Sequence, residues 1–426
     1  MNPEEQKNIR ANYIANVTDG GFFGFGQGFA SFSTVIPLFV ATMTDSAILI
    51  GLISAIHVMG FQLPQLIMAR PVSRLTRYKP MVMLMTIFER VPYLGFALIA
   101  LFQRQLGAQA ALILTFTLLV CQGLGAGFTA NAWQNMIGKV IPSQYLATFF
   151  GVQSSASNLL ASISAFFAGL ILERLVFPGN FALCFVLCFV MFLFSYLALG
   201  MTRESDHEIK HAVDVQIPLW HSISAILKRD RNFSWFLIAR TLVQFGTMAF
   251  SFYTIYAVKA LAADAYQVGV LTSVLMIAQV GSNILMGWLA DHWSRKGVLE
   301  IGAVSIMLSA LLARLAPTVD WLYPVMVLTA IANTAFWTIT MAMTLEFGEA
   351  HERPTYVGMA NSLIAPATII APLVGGWMAD AFGYQSTFLI AAVAGLAASM
   401  VFHFFVKDPA KRAGPVLASG AGENGA

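Results

Sequence analysis

Charge is what this chain has least of. Asp, Glu, Lys and Arg make up 11% of its 426 residues, against roughly 25% in a soluble domain. So few charges cannot cover the water-facing surface of a protein this long, which excludes a soluble globular fold. Cysteine is scarce too: Cys121, Cys184 and Cys188 all lie inside apolar segments. Cys184 and Cys188 stand one helical turn apart, yet no metal-ligand grouping or disulfide framework surrounds them, so packing is the plain reading. There is no G-x-x-x-x-G-K-[ST] loop, no HExxH and no Cys/His cluster, so neither nucleotide hydrolysis nor metal chemistry is indicated and no cofactor is expected. The basic residues are spread over many short loops, with no face built for nucleic acid. No cleavable signal peptide is expected. The first apolar segment is too long, carries a polar stripe and lacks a small-residue cleavage site.

What is present is apolar. Hydrophobic residues are 58% of the chain, with 34 Phe, 33 Gly and 20 Met. They fall in runs of about 20 residues or more, the length that crosses a hydrocarbon core of roughly 30 Å. Their spacing is helical, without the dyad alternation of ten-residue barrel strands. The fold class expected is an all-α multi-pass membrane protein. Twelve spans can be counted, six over residues 17–201 and six over 233–406. Before them lies a polar segment, 1–16; between them a hydrophilic linker, 202–232; after them a Gly, Ala and Pro-rich tail, 407–426, expected to lack structure. Lys and Arg set the orientation. With the N-terminus inside, eighteen lie in cytoplasmic loops, Arg104, Arg174, Lys259 and Arg314 lie outside, and Arg90 and Arg240 fall within spans. Both termini and the linker are therefore expected in the cytoplasm, and the chain in the cell membrane.

One stretch organises the rest. Residues 20–34 read GGFFGFGQGFASFST. Gly20, Gly24, Gln27, Ser31 and Thr34 recur at helical spacing, which predicts one small, polar face opposite Phe22, Phe25, Phe29 and Phe32. Such a face points away from lipid. The stripe returns as Arg240, Gln244, Thr247, Ser251 and Thr254, with Phe25-Gly26 echoed by Phe245-Gly246. Gly151 and Gly358, Gly169 and Gly376, and Phe181 and Phe388 repeat at a second offset. Two related six-span halves in parallel are an arrangement of transporters whose substrate site lies between the halves.

The segment Gly287–Gly297, GWLADHWSRKG, carries a sharper signal. Gly287 allows close helix approach, Asp291 can meet a helix N-terminus or a base, and Arg295 and Lys296 anchor the loop inside. This pattern resembles the loop signature of the major facilitator superfamily. The resemblance implies a secondary transporter with a cytoplasmic gate at Gly287, Asp291, Arg295 and Lys296. The first-half counterpart, Ala69 to Lys79, departs from the pattern: Ser73 replaces the acid and Ala69 the glycine. Span 5 lacks the glycine-proline motif of proton-coupled drug exporters, although span 11 holds Ala371-Pro372 and Gly375-Gly376.

The resemblance also implies that spans 1, 4, 7 and 10 line a central cavity. Their polar faces offer Gln27, Ser31, Asn131, Gln134, Arg240, Gln244, Asn333 and Trp337 as substrate contacts; interhelical hydrogen bonding is the competing reading. Charges within spans are costlier, so they mark coupling groups or structural ion pairs. These are Asp19, Glu89 and Arg90, with His57 a lone histidine in span 2. Asp19 and Arg240 are expected to pair when the cytoplasmic mouth closes. Glu346 is expected in a solvated acidic loop. The expected function is alternating-access transport of a small solute by a monomer in the bilayer, with protons as a candidate coupling ion. Export of amphipathic compounds and a non-transporting sensor or scaffold are the rivals.

Overall fold

The computed structural model describes residues 3–32, 34–206, 219–349 and 351–409. Residues 207–218 of the expected linker and 410–426 of the expected tail lie outside them. Every regular element described is helical, as an apolar chain in lipid requires, because helices satisfy the backbone internally.

In the first half these are α1 (Pro3–Phe29), α2 (Val35–Ala41), α3 (Ala47–Gln62), α4 (Pro64–Ser73), α5 (Lys79–Arg90), α6 (Pro92–Leu106), α7 (Ala108–Val140), α8 (Leu146–Arg174) and α9 (Gly179–Gly200). A short amphipathic helix, α10 (Leu219–Arg229), leads into the second half. There follow α11 (Arg231–Thr247), α12 (Phe250–Ala260), α13 (Ala265–His292), α14 (Arg295–Leu315), α15 (Leu322–Thr334), α16 (Thr340–Thr344), α17 (Arg353–Ser362), α18 (Ala365–Phe382) and α19 (Tyr384–Phe404). Several rods are broken where proline removes an N–H: Pro64 and Pro92 begin α4 and α6 and are tolerated there as first-turn residues.

Ten segments are long and apolar enough to cross a membrane: α3–α4, α5–α6, α7, α8, α9, α13, α14, α15–α16, α17–α18 and α19. The two rods carrying the repeated stripe, α1–α2 and α11–α12, are interrupted. α1 stops at Phe29 and α2 begins at Val35, so Ser31 and Thr34 do not share a helix face with Gly20 and Gln27. The cause is local. Glycine-rich 20–28 is a weak helix former, and the Ser and Thr that follow compete for backbone groups. The second stripe breaks likewise, between Thr247 and Phe250.

Each half packs on itself: α1 lies on α8 and α9, and α5 on α7; α11 and α14 lie on α19, and α13 on α15. The halves meet along two seams, α8 with α13 and α4 with α17. The apolar core shows how unequal their ends are. At one end a single cluster joins the halves, with Leu66, Phe149 and Phe150 packed in the same body as Phe233, Phe236 and Tyr356. At the other end the core splits. One cluster holds first-half residues such as Phe39 and Phe185, and a separate one holds second-half residues such as Tyr253 and Phe388. Segments from before the first half and after the second meet the linker regions there. Asn12 bonds the backbone of Arg203, and Asn232 bonds that of Lys407. The start of the linker is fixed there: Glu204 accepts from the N–H groups of Tyr78 and Lys79 and from Lys139 Nζ.

Candidate functional site

Glycine sets the closeness of the joined end. A Cβ at Gly287 would stand 2.7 Å from Ala147 O, and one at Gly358 would stand 2.7 Å from Gln65 O. Gly151 faces Asn283 O too closely for any side chain. At the split end, Gly51, Gly169 and Gly269 have nothing within 4 Å of such a Cβ.

The α8–α13 seam is latched by charge. Asp291 accepts from the N–H groups of Ala147 and Thr148, at 3.1 and 2.6 Å, in the first turn of α8. There the helix dipole and unpaired N–H groups favour an anion. Arg295, itself buried, reaches Asp291 at 3.1 Å, Glu346 at 2.5 Å and the Ser143 carbonyl. Glu346 is thus a latch member rather than the solvated loop acid expected, because the end of α16 brings it over Arg295. Lys296 turns away, bonding the His403 carbonyl and pairing with Glu300. Among the described residues, the facing helices of the second seam, α4 and α17, carry no acid. Asn131 Nδ2 donates to Gln65 O at 2.9 Å and Pro354 O at 2.8 Å. Asn361 donates to Gln65 Oε1 at 2.7 Å, and the Ser362 hydroxyl donates to Gln62 O at 2.7 Å. Amides and hydroxyls take the place of the missing carboxylate.

Immediately above the seams lies a cavity of about 570 Å³. Among its lining residues are Gln27, Gln134, Asn333 and Trp337, and the charges Asp19, Glu89 and Arg90. The charges form one cluster on the first-half wall. Ser195 donates to Asp19 Oδ1 at 2.5 Å, and Arg90 reaches Ser195 at 2.9 Å and Asp19 at 3.4 Å. Glu89 Oε2 lies 3.6 Å from Arg90 and accepts from Thr86 at 3.2 Å. The guanidinium also sits over the Phe23 ring, 5.4 Å from its centroid. Two carboxylates therefore share one cation on a wall that water or solute can reach. The second half gives the cavity only neutral groups, Gln279, Asn283, Asn333 and Thr338 besides Trp337 and Met341. The ring faces of Phe23, Phe61, Trp133, Phe150 and Trp337 complete an amphipathic lining.

Other expected residues lie elsewhere. Asn131 serves the seam. Ser31 is in the break after α1 and does not line the cavity. No residue of α11 lines it among the described residues. Arg240 instead donates to Ala360 O at 2.5 Å beside the Phe236 ring, so the expected Asp19–Arg240 pair is not formed. Gln244 also stands off the cavity, with its carbonyl accepting from the Thr247 hydroxyl. His57 Nδ1 lies 3.2 Å from Gln122 Oε1, and its ring stacks on Phe32. That is an internal first-half contact outside the cavity. Gln153, Ser154, Asn158, Gln279 and Asn283 were missed. The polar runs QSSASN and QVGSN inside apolar spans were the available signal.

Known proteins agree with this architecture. A family model described as "Major Facilitator Superfamily" matches residues 20–258 and 237–423. The Methylenomycin A resistance protein of Streptomyces coelicolor is 29% identical over 108 residues, 25% of this chain and 23% of that protein. Multidrug resistance protein MdtL of Salmonella heidelberg is 23% identical over 153 residues, 35% of this chain and 39% of that one. The chain thus matches less than half the length of these curated relatives. Among solved structures, the E. coli fucose:proton symporter FucP superposes with a TM-score of 0.75 at 15% identity, covering 94% of this chain and 100% of its own. The proton:xylose symporter XylE gives 0.69 at 16% identity, covering 95% and 97%. At such identities the structures speak to fold alone. Matched by the family model over both halves, this chain belongs to the Major Facilitator Superfamily.

Proposed function

We propose that the chain is a secondary transporter that carries a small solute across the cell membrane by alternating access. In this reading α1–α2 and α11–α12 complete twelve crossings, arranged as two six-span domains, 17–201 and 233–406, that rock about the cavity as a monomer in the bilayer. The excess of Lys and Arg at the latched end supports a cytoplasmic location for both termini and that end; in this reading the cavity opens outward in this conformation. The observation that carries the reading is the unequal core: one shared cluster below the cavity, two separate clusters above it. A bundle with no need to open would bury apolar surface between its halves along their whole length.

Coupling is assigned to the first-half cluster. With Arg90 facing both Asp19 and Glu89, the cluster carries one negative charge too many for a buried site. A proton taken up at Glu89, the carboxylate not bonded to Ser195, restores neutrality. The relatives named for drug resistance, and the five ring faces in the cavity, favour an amphipathic solute over a purely polar one. The test is uptake and counterflow in proteoliposomes under an imposed pH gradient, screened over sugars, organic acids, amino acids and cationic dyes. Transport driven by the gradient is expected, and Glu89→Gln is expected to flatten its pH dependence. Silence across the panel, with protein that is folded and reconstituted, would favour a sensor or scaffold.

A further inference from the structure

The wall of the cavity contains one irregularity. Between α15 and α16, Ala335–Ile339 is wound as a π turn, closed by the Thr340 N–H on Ala335 O. The Thr340 hydroxyl lies 3.3 Å from the same carbonyl. A π turn holds one residue more than an α turn; such turns are rare and frequently sit at functional sites. Asn333, Trp337 and Thr338, on and just before this turn, all line the cavity. Thr338 is used there: its hydroxyl donates to Asn283 Oδ1 on α13 at 2.7 Å and lies 3.3 Å from Ser154 Oγ on α8. Its neighbour Trp337 faces the cavity and stacks against Phe61 of α3, with centroids 6.0 Å apart. The π turn therefore touches both halves at the cavity floor.

The same rod ends in the latch. Thr340, Ala342, Met343 and Thr344 are buried, and Glu346 lies on Arg295. Glu346 lies eight positions after Thr338, just past the end of the rod at Thr344. Along α13, Asn283, Gly287 and Asp291 succeed one another at four-residue spacing on the face that meets α8. One rod thus holds that zipper at its cavity end through Thr338 and at its latch end through Glu346.

We propose that the π turn couples the cavity to the latch. A solute that engages Trp337 or Asn333 frees Thr338 from Asn283 and Ser154, and the turn tightens into α-winding. The register shifts by one residue, about 1.5 Å and 100°, and Glu346 is carried off Arg295, which loosens Arg295 from Asp291. Thr338 is a positioning residue: it acts on the latch through the rod. The inference rests on the alternating-access reading.

The test needs no solute. The full chain, with its three cysteines replaced by alanine and Ala290→Cys as reporter, is placed in lipid nanodiscs. Ala290 is buried in α13, seven residues on from Asn283 and so on nearly the same helix face, and maleimide labelling there is used to read opening of the latched seam. Thr338→Val is expected to speed labelling about three- to tenfold, the loss of one or two hydrogen bonds in lipid. Thr338→Ser, which keeps the hydroxyl, should label like the parent. Glu346→Gln should also label faster, and the double variant no faster than the faster single one. Should Thr338→Val fail to fold, Ser154→Ala removes the partner across the seam and should speed labelling in its place. Thr338→Val labelling at the parent rate beside a fast Glu346→Gln overturns the coupling, as does a double variant whose effects multiply. If neither variant speeds labelling, the latch and the alternating-access reading fall together with it.

Discussion

Gly287→Ala is the sharpest perturbation the seam allows. The added Cβ would lie 2.7 Å from Ala147 O and 3.2 Å from Thr148 Cα. Both atoms are backbone in the first turn of α8, so no side chain can rotate out of the way. Restoring an ordinary contact of 3.4 Å needs the helices to part by about 0.7 Å (3.4 less 2.7). That displacement stretches the two bonds from Asp291 to Ala147 and Thr148. Overpacking of this kind costs about 1–3 kcal/mol. The cost falls on the closed seam alone, so the closed-to-open ratio should drop by about 5- to 150-fold. The assay is labelling at Ala290→Cys, with Gly169→Ala as control, since a Cβ at Gly169 meets nothing within 4 Å. Faster labelling in Gly287→Ala and an unchanged rate in Gly169→Ala are expected. A monodisperse Gly287→Ala protein that labels like its parent would refute the idea that backbone contact at Gly287 sets the seal.

Three further outcomes follow from the geometry. Arg90→Gln strands Asp19 and Glu89 beside one another, and loss of a buried partner costs about 3–5 kcal/mol. The thermal unfolding midpoint in detergent should fall clearly, and an unmoved midpoint would show that the pair is not buried as described. Asn131→Ala deprives Gln65 O and Pro354 O of their bridge, worth about 1–2 kcal/mol in lipid. Seam labelling should rise several-fold, and no change would assign the α4–α17 seal to Gly358 and its neighbours. Arg229 pairs with Glu352 at 2.6 Å while its side chain is 61% exposed. The hydrogen bonds it donates to Glu352 hold its guanidinium above the ordinary value, yet Arg229→Ala should cost no more than about 1 kcal/mol. A larger fall in stability would mean that α10 is docked by more than this pair.

The small and aromatic residues that recur between the halves stand out in the sequence through their equivalent spacing, and Gly287, Asp291 and Arg295 stand out because their chemistry is local to one helix end. What spacing could not supply is the partner across a seam. Asn131 shares a helix with Gln134, but only the approach of α17 decides that Asn131 spans the seam to Pro354 while Gln134 lines the cavity. Arg240 repeats the polar position of Gly20, yet Ala360 O lies within reach and Asp19 is taken by Arg90 and Ser195. The π turn was invisible for the same reason: an extra residue in one turn leaves composition and average period unchanged. The consequence is an asymmetry beneath a symmetric fold. Among the described residues, all the cavity charge belongs to the first half, while the charged latch centres on Asp291, Arg295 and Glu346 of the second. In the transport reading proposed above, a proton or solute bound on one wall would have to be felt by the other half across the cavity. Of the cavity-lining groups, Thr338 is bonded to both α8 and α13. Its hydroxyl is thus a cavity-lining group bonded to both sides of the α8–α13 seam that Asp291 closes.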